Sequence, residues 1–223
     1  MARFFGSYLM IFLNKTIVKK IAITGGIASG KSTLLNNFAT KFPVFNCDNA
    51  IKQIYQKEEI LEKIKKTFAI ENFSKPVLLK ILLQRPENLK KLEAILYPEL
   101  HKLMLEFERL ARKKSHSGQI KLTFFEVPLL FEKNLSHKYD SIVVIKSNKI
   151  QRKKNFLKRS GKVEQSADVF NLFNNIQWSD AKRFSIVQNF QYRRKKTLLY
   201  FLPVTQKCDI NFYRNVHTFK IKK

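Results

Sequence analysis

This sequence predicts an α/β fold in three layers, with helices packed around a mostly parallel sheet. Three observations carry that expectation. The apolar stretch Lys20–Thr24 runs directly into a glycine-rich segment and then into the helical Leu34–Thr40, which makes a strand–loop–helix unit. Ile120–Val127 and Ser141–Ile145 are also nearly continuous apolar runs, the pattern of strands buried on both faces. Between the early and late strands, residues 49–116 contain no strand-like run. The chain has 223 residues, 44% of them hydrophobic, which suits one core domain with insertions.

The elements follow in order. Strand 20–24 leads through the loop 25–32 to a helix over 31–41. Pro43–Phe45 is a short second strand that delivers Asn46, Cys47 and Asp48 at its C-terminal end, where open parallel sheets place ligands. Helices follow at about 49–57, 59–68, 75–84 and 87–114, punctuated by Pro76, Pro86 and Pro98. Leu89, Leu92, Ile95 and Leu96 mark the apolar face of the last one. After the strands at 120–127 and 141–145 comes a basic helix over 148–162, then a helix at about 164–176 and an expected last core strand at 185–189. Residues 190–223 give no firm element, although Asp209–Lys222 alternates as a hairpin or edge strand would.

Gly25-Gly26-Ile27-Ala28-Ser29-Gly30-Lys31-Ser32-Thr33 fits the phosphate-binding pattern G-x-x-x-x-G-K-[ST]. Glycines let successive N–H groups turn inward around a phosphate, and the helix N-terminus adds partial positive charge there. Lys31 reaches terminal phosphates, and the Ser32 hydroxyl is placed to ligate Mg2+. The strand before the motif and the helix after it argue against an ordinary glycine turn.

Charge points the same way. Forty-three Lys and Arg against 17 Asp and Glu leave +26, a field that attracts polyanions. Nucleotides, polyphosphate coenzymes, nucleic acid and anionic lipid all qualify, and a Lys- and Asn-rich composition also raises the total without any partner. Residues 146–162 hold eight basic and no acidic residues; residues 190–223 hold nine basic residues and only Asp209. Cys47 and Cys208 are isolated, without metal-ligand spacing, which fits a reducing cytoplasm. Phe4–Leu13 is apolar after Arg3 but lacks a small-residue cleavage pattern and is too short to span a bilayer. Residues 1–18 therefore read as an extension ahead of the domain, with Met10 as a second candidate start.

Asp48 has three readings from position alone: acceptor of a hydroxyl proton, Mg2+ partner through water, or cap of the helix beginning near Asn49. Glu126 and Glu132 flank Val127-Pro128-Leu129-Leu130-Phe131. Either carboxylate can serve a metal's surroundings at a strand end; for Glu132 a structural ion pair is the equal alternative.

The loop, then Asp48 after a short second strand, then Val127-Pro128-Leu129-Leu130-Phe131-Glu132, resemble the dephospho-CoA kinase family in order and spacing over residues 19–189. The resemblance implies a P-loop NTPase-type fold and ATP-dependent phosphorylation of the ribose 3′-hydroxyl of dephospho-CoA, the last step of coenzyme A synthesis. It implies a helical coenzyme-binding insert over about 49–116 and a basic lid over about 148–176. Asp48, Lys31 and Arg159 then stand as the catalytic set, Gly25–Thr33 and Asn189 as the nucleotide site, and Ser32 as the metal ligand. Gln177 resembles a glutamine that the family has after the lid helix. The family's Q-x-x-R-x-x-x-R pattern fits Gln151 only with Lys154 and Lys158 in place of arginines; aligning Arg159 shifts the register by one. Tyr97-Pro98 stands where His-Pro is usual, Ser74-Lys75 where Asp-Arg is usual, and Arg183-Phe184 where Ala-Asp is usual.

The resemblance implies ATP and dephospho-CoA as partners, Mg2+ as cofactor, no specific nucleic acid and no membrane. Two alternatives compete. One is another small-molecule kinase of the nucleoside monophosphate type, against which the Pro-Leu-Leu-Phe-Glu run argues. The other is a basic nucleic-acid-binding ATPase, hinted at by Tyr192-Arg193-Arg194-Lys195-Lys196 alone.

Overall fold

The structure, a computed structural model, describes residues 17–113, 120–160, 166–183, 185–186 and 199–203. Five strands form one sheet: β1 (Ile17–Gly25), β2 (Val44–Phe45), β3 (Ile120–Glu126), β4 (Ser141–Lys146) and β5 (Leu199–Pro203). Their order is β2-β3-β1-β4-β5, and every neighbouring pair runs parallel. Ile23 lies opposite Glu126 on one side and Val143 on the other, so the carboxyl ends of the three central strands come together.

Strand alternation sorts the core into two layers. Ile21, Ile23, Phe124, Val143 and Ile145 point to one face, where Leu34, Leu35 and Phe38 of α1 (Lys31–Ala39) cover them. Ala22, Phe125, Ile142 and Val144 point to the other face. There they meet Leu100, Leu103, Met104 and Phe107 of the long helix α5 (Asn88–Lys113). Pro98 lies inside α5, which continues through it.

The insert between β2 and β3 is all helical: α2 (Cys47–Ile54), α3 (Glu58–Phe68), α4 (Lys75–Gln84) and α5. It has its own core of Ile54, Ile60, Ile64, Leu78, Leu82, Leu92 and Leu96. Ser74 caps α4 by accepting from the Val77 N–H, with Pro76 in the first turn where no donor is required. Lys57 and Lys102 both bind the carboxylate of Glu99, tying the start of α3 to α5.

Beyond β4 come α6 (Lys149–Ser160) and α7 (Ser166–Asn175). The expected last strand at 185–189 is not what the chain makes at its start. Asp180–Arg183 is helical, as are Ser185 and Ile186; residues 187–189 lie outside the described residues. The Ser179 hydroxyl accepts from the Lys182 N–H, the helix-starting role that competes with an extended path. Arg183, 2% exposed, anchors this turn through Glu132 at 3.1 Å and Asp180 at 3.2 Å. The strand that pairs with β4 is instead 199–203, in the segment the sequence left without an element.

Candidate active site

The phosphate loop follows from backbone demands. Gly30 holds φ 99°, a left-handed conformation that caps α1, and the Leu34 N–H returns to its carbonyl at 3.1 Å. A Cβ on Gly25 would stand 2.8 Å from the Ile145 carbonyl, so β4 approaches there too closely for any side chain. Lys31 folds back over its own loop and donates to the carbonyls of Gly25 at 3.1 Å and Gly26 at 3.0 Å. Loss of water lowers its pKa, while Glu126 and Asp48 hold it up.

A cavity of about 470 Å³ opens over the loop. Ile27, Ala28, Ser29, Gly30, Lys31 and Ser32 form its floor. Arg159, Phe156 and Ser160 of α6 line it from above, and Phe173 and Gln177 close a further side. Gly25 ends β1 and Thr33 lies exposed in the first turn of α1, flanking this floor. Asn189 lies outside the described residues.

Asp48, at the start of α2, and Glu126, at the end of β3, reach the same cavity. Asp48 is exposed, in the first turn of α2. The cap of that helix is Asn46, whose side chain accepts from the Asn49 N–H at 2.9 Å, so Asp48 is not tied up as the cap. Glu126 is only 3% exposed, and its Oε2 has no hydrogen-bond partner among the described residues. Burial, and then the neighbouring Asp48 charge, push the Glu126 carboxyl up to about 7; Lys31 and Arg159 oppose them.

Glu126→Gln is therefore expected to change the pH dependence of stability. Below about pH 4.5 both folded and unfolded Glu126 carry the proton. Between there and about 7 the unfolded chain has released it while the folded one keeps it, so folding stability falls as pH rises. Across that window the wild type should lose on the order of 1–3 kcal/mol relative to Glu126→Gln. Urea unfolding at pH 5 and pH 7.5, without nucleotide, measures this; a constant difference between the two proteins refutes it.

Glu132 has a different place. It accepts from the Trp178 N–H at 2.7 Å and pairs with Arg183, both side chains nearly free of solvent. Of its two readings the ion pair is the one present, and Arg183 is its partner.

A second cavity, of about 560 Å³, lies under α5. Ile51, Tyr97, Leu100, Met104, Leu135 and Tyr139 give it an apolar wall, with Lys133 and Lys138 among its lining. Tyr97 donates to Glu93 at 2.8 Å, and Lys133 binds the other oxygen of that carboxylate at 2.6 Å. Asp48, Glu126 and Pro128 line both cavities. Sequence reasoning missed Tyr97 and Lys133 as wall residues of a single cavity, because α5 and the loop after β3 meet only in three dimensions.

On α6, Arg152, Asn155, Phe156 and Arg159 recur at helical spacing and face the loop and the cavity; Arg159 is exposed like Lys153, Lys154 and Lys158, but it lines the cavity and they do not. That places Arg159, not Lys158, over the loop-side cavity. Gln177 accepts from the Ile27 N–H at 2.7 Å.

A model of the family described as dephospho-CoA kinase matches residues 19–189 of this chain. The chain belongs to the dephospho-CoA kinase family. Its ATP-dependent reaction is the phosphorylation of dephospho-CoA, in coenzyme A biosynthesis. The chain is 33% identical over 171 residues to the dephospho-CoA kinase of Bartonella quintana, spanning 74% of this chain and 84% of that one. With the dephospho-CoA kinase of Thermus thermophilus it shares 32% identity over 146 residues, 63% of this chain and 68% of the relative. Among solved structures, the crystal structure of TT1252 from Thermus thermophilus superimposes with a TM-score of 0.57 at 26% identity, covering 83% of this chain and 88% of that one. These likenesses sit on the P-loop α/β architecture described above.

Proposed function

We propose that dephospho-CoA kinase activity in this chain runs where the two cavities meet, with residues 19–189 as the kinase domain, about 49–116 as its coenzyme-binding insert and about 148–176 as its lid. The observation that carries this is the shared lining of Asp48, Glu126 and Pro128. ATP takes the loop-side cavity, and its phosphates face the loop N–H groups and Lys31. Dephospho-CoA takes the cavity under α5. The apolar wall suits its pantetheine arm, and Lys133 and Lys138 suit its phosphates.

Asp48 then accepts the proton of the 3′-hydroxyl, in line with the transferring phosphoryl group. Lys31 and Arg159 spread positive charge around that group as its oxygens take up negative charge. Mg2+ fits the donors present: the Ser32 hydroxyl, exposed Asp48 and the unpartnered Glu126 oxygen are all hard oxygen ligands beside one cavity. Among the described residues no cluster of three His, Cys, Asp or Glu could hold a metal by itself, which suits an ion held largely by phosphates. When bound it neutralises charge on the phosphates. ATP, coenzyme chemistry and isolated cysteines suit the cytoplasm. No helix among the described residues is long and apolar enough to cross a membrane.

ADP release coupled to a reporter, with ATP and Mg2+, tests this reading. Release should depend on dephospho-CoA. Equal release with and without it sinks the acceptor assignment, and stronger release with a nucleoside monophosphate favours the other kinase class.

The basic segment 148–162 should close over the nucleotide as a lid, since α6 already overhangs the loop. Hydrogen exchange should slow across 148–162 and the phosphate loop when a bisubstrate analogue binds. Unchanged exchange there, with protection on adding DNA or RNA instead, overturns the lid and assigns the charge to nucleic acid.

A further inference from the structure

Arg152 is the one basic residue of α6 that is buried, at 8% exposure. Its neighbours are three separate parts of the fold. Nε donates to the Ser147 carbonyl just past β4 at 3.1 Å, and Nη1 donates to Asn174 Oδ1 on α7 at 3.0 Å. The guanidinium also sits over the Phe170 ring, 5.9 Å from its centroid. These partners are all neutral. The flat group also lies directly against Gly26: a Cβ there would stand 2.6 Å from Nη1 and 2.8 Å from Cζ.

Two further ties run from the same side. Asn155, one turn on, donates to the Ala28 carbonyl at 3.3 Å, and Gln177 accepts from the Ile27 N–H. Gly26, Ile27 and Ala28 are thus each held by a side chain from the α6–α7 region. Arg159 lies seven residues after Arg152, about two turns along and on the same face. One helix therefore fixes both the loop's curvature and the position of the arginine above it.

We propose that Arg152 is a positioning residue of the nucleotide site: lodged between Gly26, Ser147 and Asn174, it sets the shape of the phosphate loop and couples it to the lid helices. Asn155 and Gln177 complete the brace. Lysine cannot replace it, because one ammonium has neither the planar face for Gly26 nor the fork for two separated acceptors. This inference rests on reading the loop-side cavity as the ATP site.

The test uses the full chain and five variants: Arg152→Met, Arg152→Lys, Arg152→Ala, Gly26→Ala, and Gly26→Ala combined with Arg152→Ala. Binding of a non-hydrolysable ATP analogue is measured by calorimetry, together with KM for each substrate, kcat and the melting temperature. Arg152→Met and Arg152→Lys should weaken analogue binding and raise KM for ATP by about 10-fold to 10²-fold, as misplacement of a binding loop does, with KM for dephospho-CoA within about twofold. Gly26→Ala keeps the charge but displaces the guanidinium, so it should weaken ATP in the same way, and its combination with Arg152→Ala should cost less than the sum of the two single changes. Additive effects overturn the coupling. A lower melting temperature with unchanged ATP affinity makes Arg152 a packing residue only. If Arg152→Met does not fold, Gly26→Ala still decides the matter. Failure of the wild type to bind the analogue would sink the ATP-site reading instead.

Discussion

Lys31→Ala is expected to lower phosphoryl transfer by about 10²-fold or more in a protein that still folds. The side chain is half-buried, and its two bonds go to carbonyls of the loop it belongs to. Their loss costs about 1–3 kcal/mol of local stability, small against the unfolding free energy of a domain. Gly30 at φ 99°, the close approach of β4 to Gly25 and the packing of Arg152 against Gly26 all shape the loop, and none of them involves the Lys31 side chain. What disappears is the point charge at the head of the loop. Burial and the opposed carboxylates Glu126 and Asp48 show how tightly that charge is placed. Lys31→Arg should not restore the rate, since a planar guanidinium cannot occupy the space of a compact ammonium between two carbonyls. Steady-state turnover with saturating ATP and a melting curve on the same preparation measure the effect. Wild-type turnover in a folded Lys31→Ala protein refutes the phosphate-loop assignment.

The parts of the fold that were legible in the sequence are those fixed by local periodicity. The central parts of β1, β3 and β4 are buried on both faces, so each carries a short, mostly apolar run, and the insert helices are bounded by Ser74, Pro76 and Pro86. The phosphate loop was legible because its backbone demands glycine at set positions. The strand expected at 185–189 failed because Ser185-Ile186-Val187 has strand-like composition, while the long-range Arg183–Glu132 pair and the Ser179 hydroxyl fix a helical turn there. No local pattern encodes a contact with a residue 51 positions away. Arg152 was hidden for the same reason. In sequence it is one cation in a basic run; only the packing of α6 against the loop separates it from Lys153 and Lys154. The second cavity shares this property, since its walls come from β1, α2, α5 and the loop after β3. Asp48 lay between these cases: its place at a strand end was readable, but its freedom from capping required seeing Asn46 take that role.

That freedom makes Asp48→Asn the sharpest test of the chemistry. The amide keeps the shape of the carboxylate but cannot take up a proton from a hydroxyl, and general-base contributions are typically about 10²–10⁴-fold. The catalytic rate should fall by that order, while KM for ATP stays nearly unchanged, because the loop and Lys31 carry nucleotide binding. The structural cost is small. Asn46 remains as the cap of α2, and loss of a first-turn acid removes about 0.3–1 kcal/mol of favourable interaction with the helix dipole. The neighbouring carboxyl responds as well. With the Asp48 charge gone, the Glu126 group loses one of the two influences that raise it, so it should titrate at lower pH, although burial still holds it above an ordinary glutamate. A rate loss accompanied by that downward shift, followed by carbon-13 carboxyl NMR, identifies Asp48 as a charged group acting at the junction of the cavities. Retention of the wild-type rate with a melting temperature several degrees lower would make Asp48 structural and leave the hydroxyl without a base.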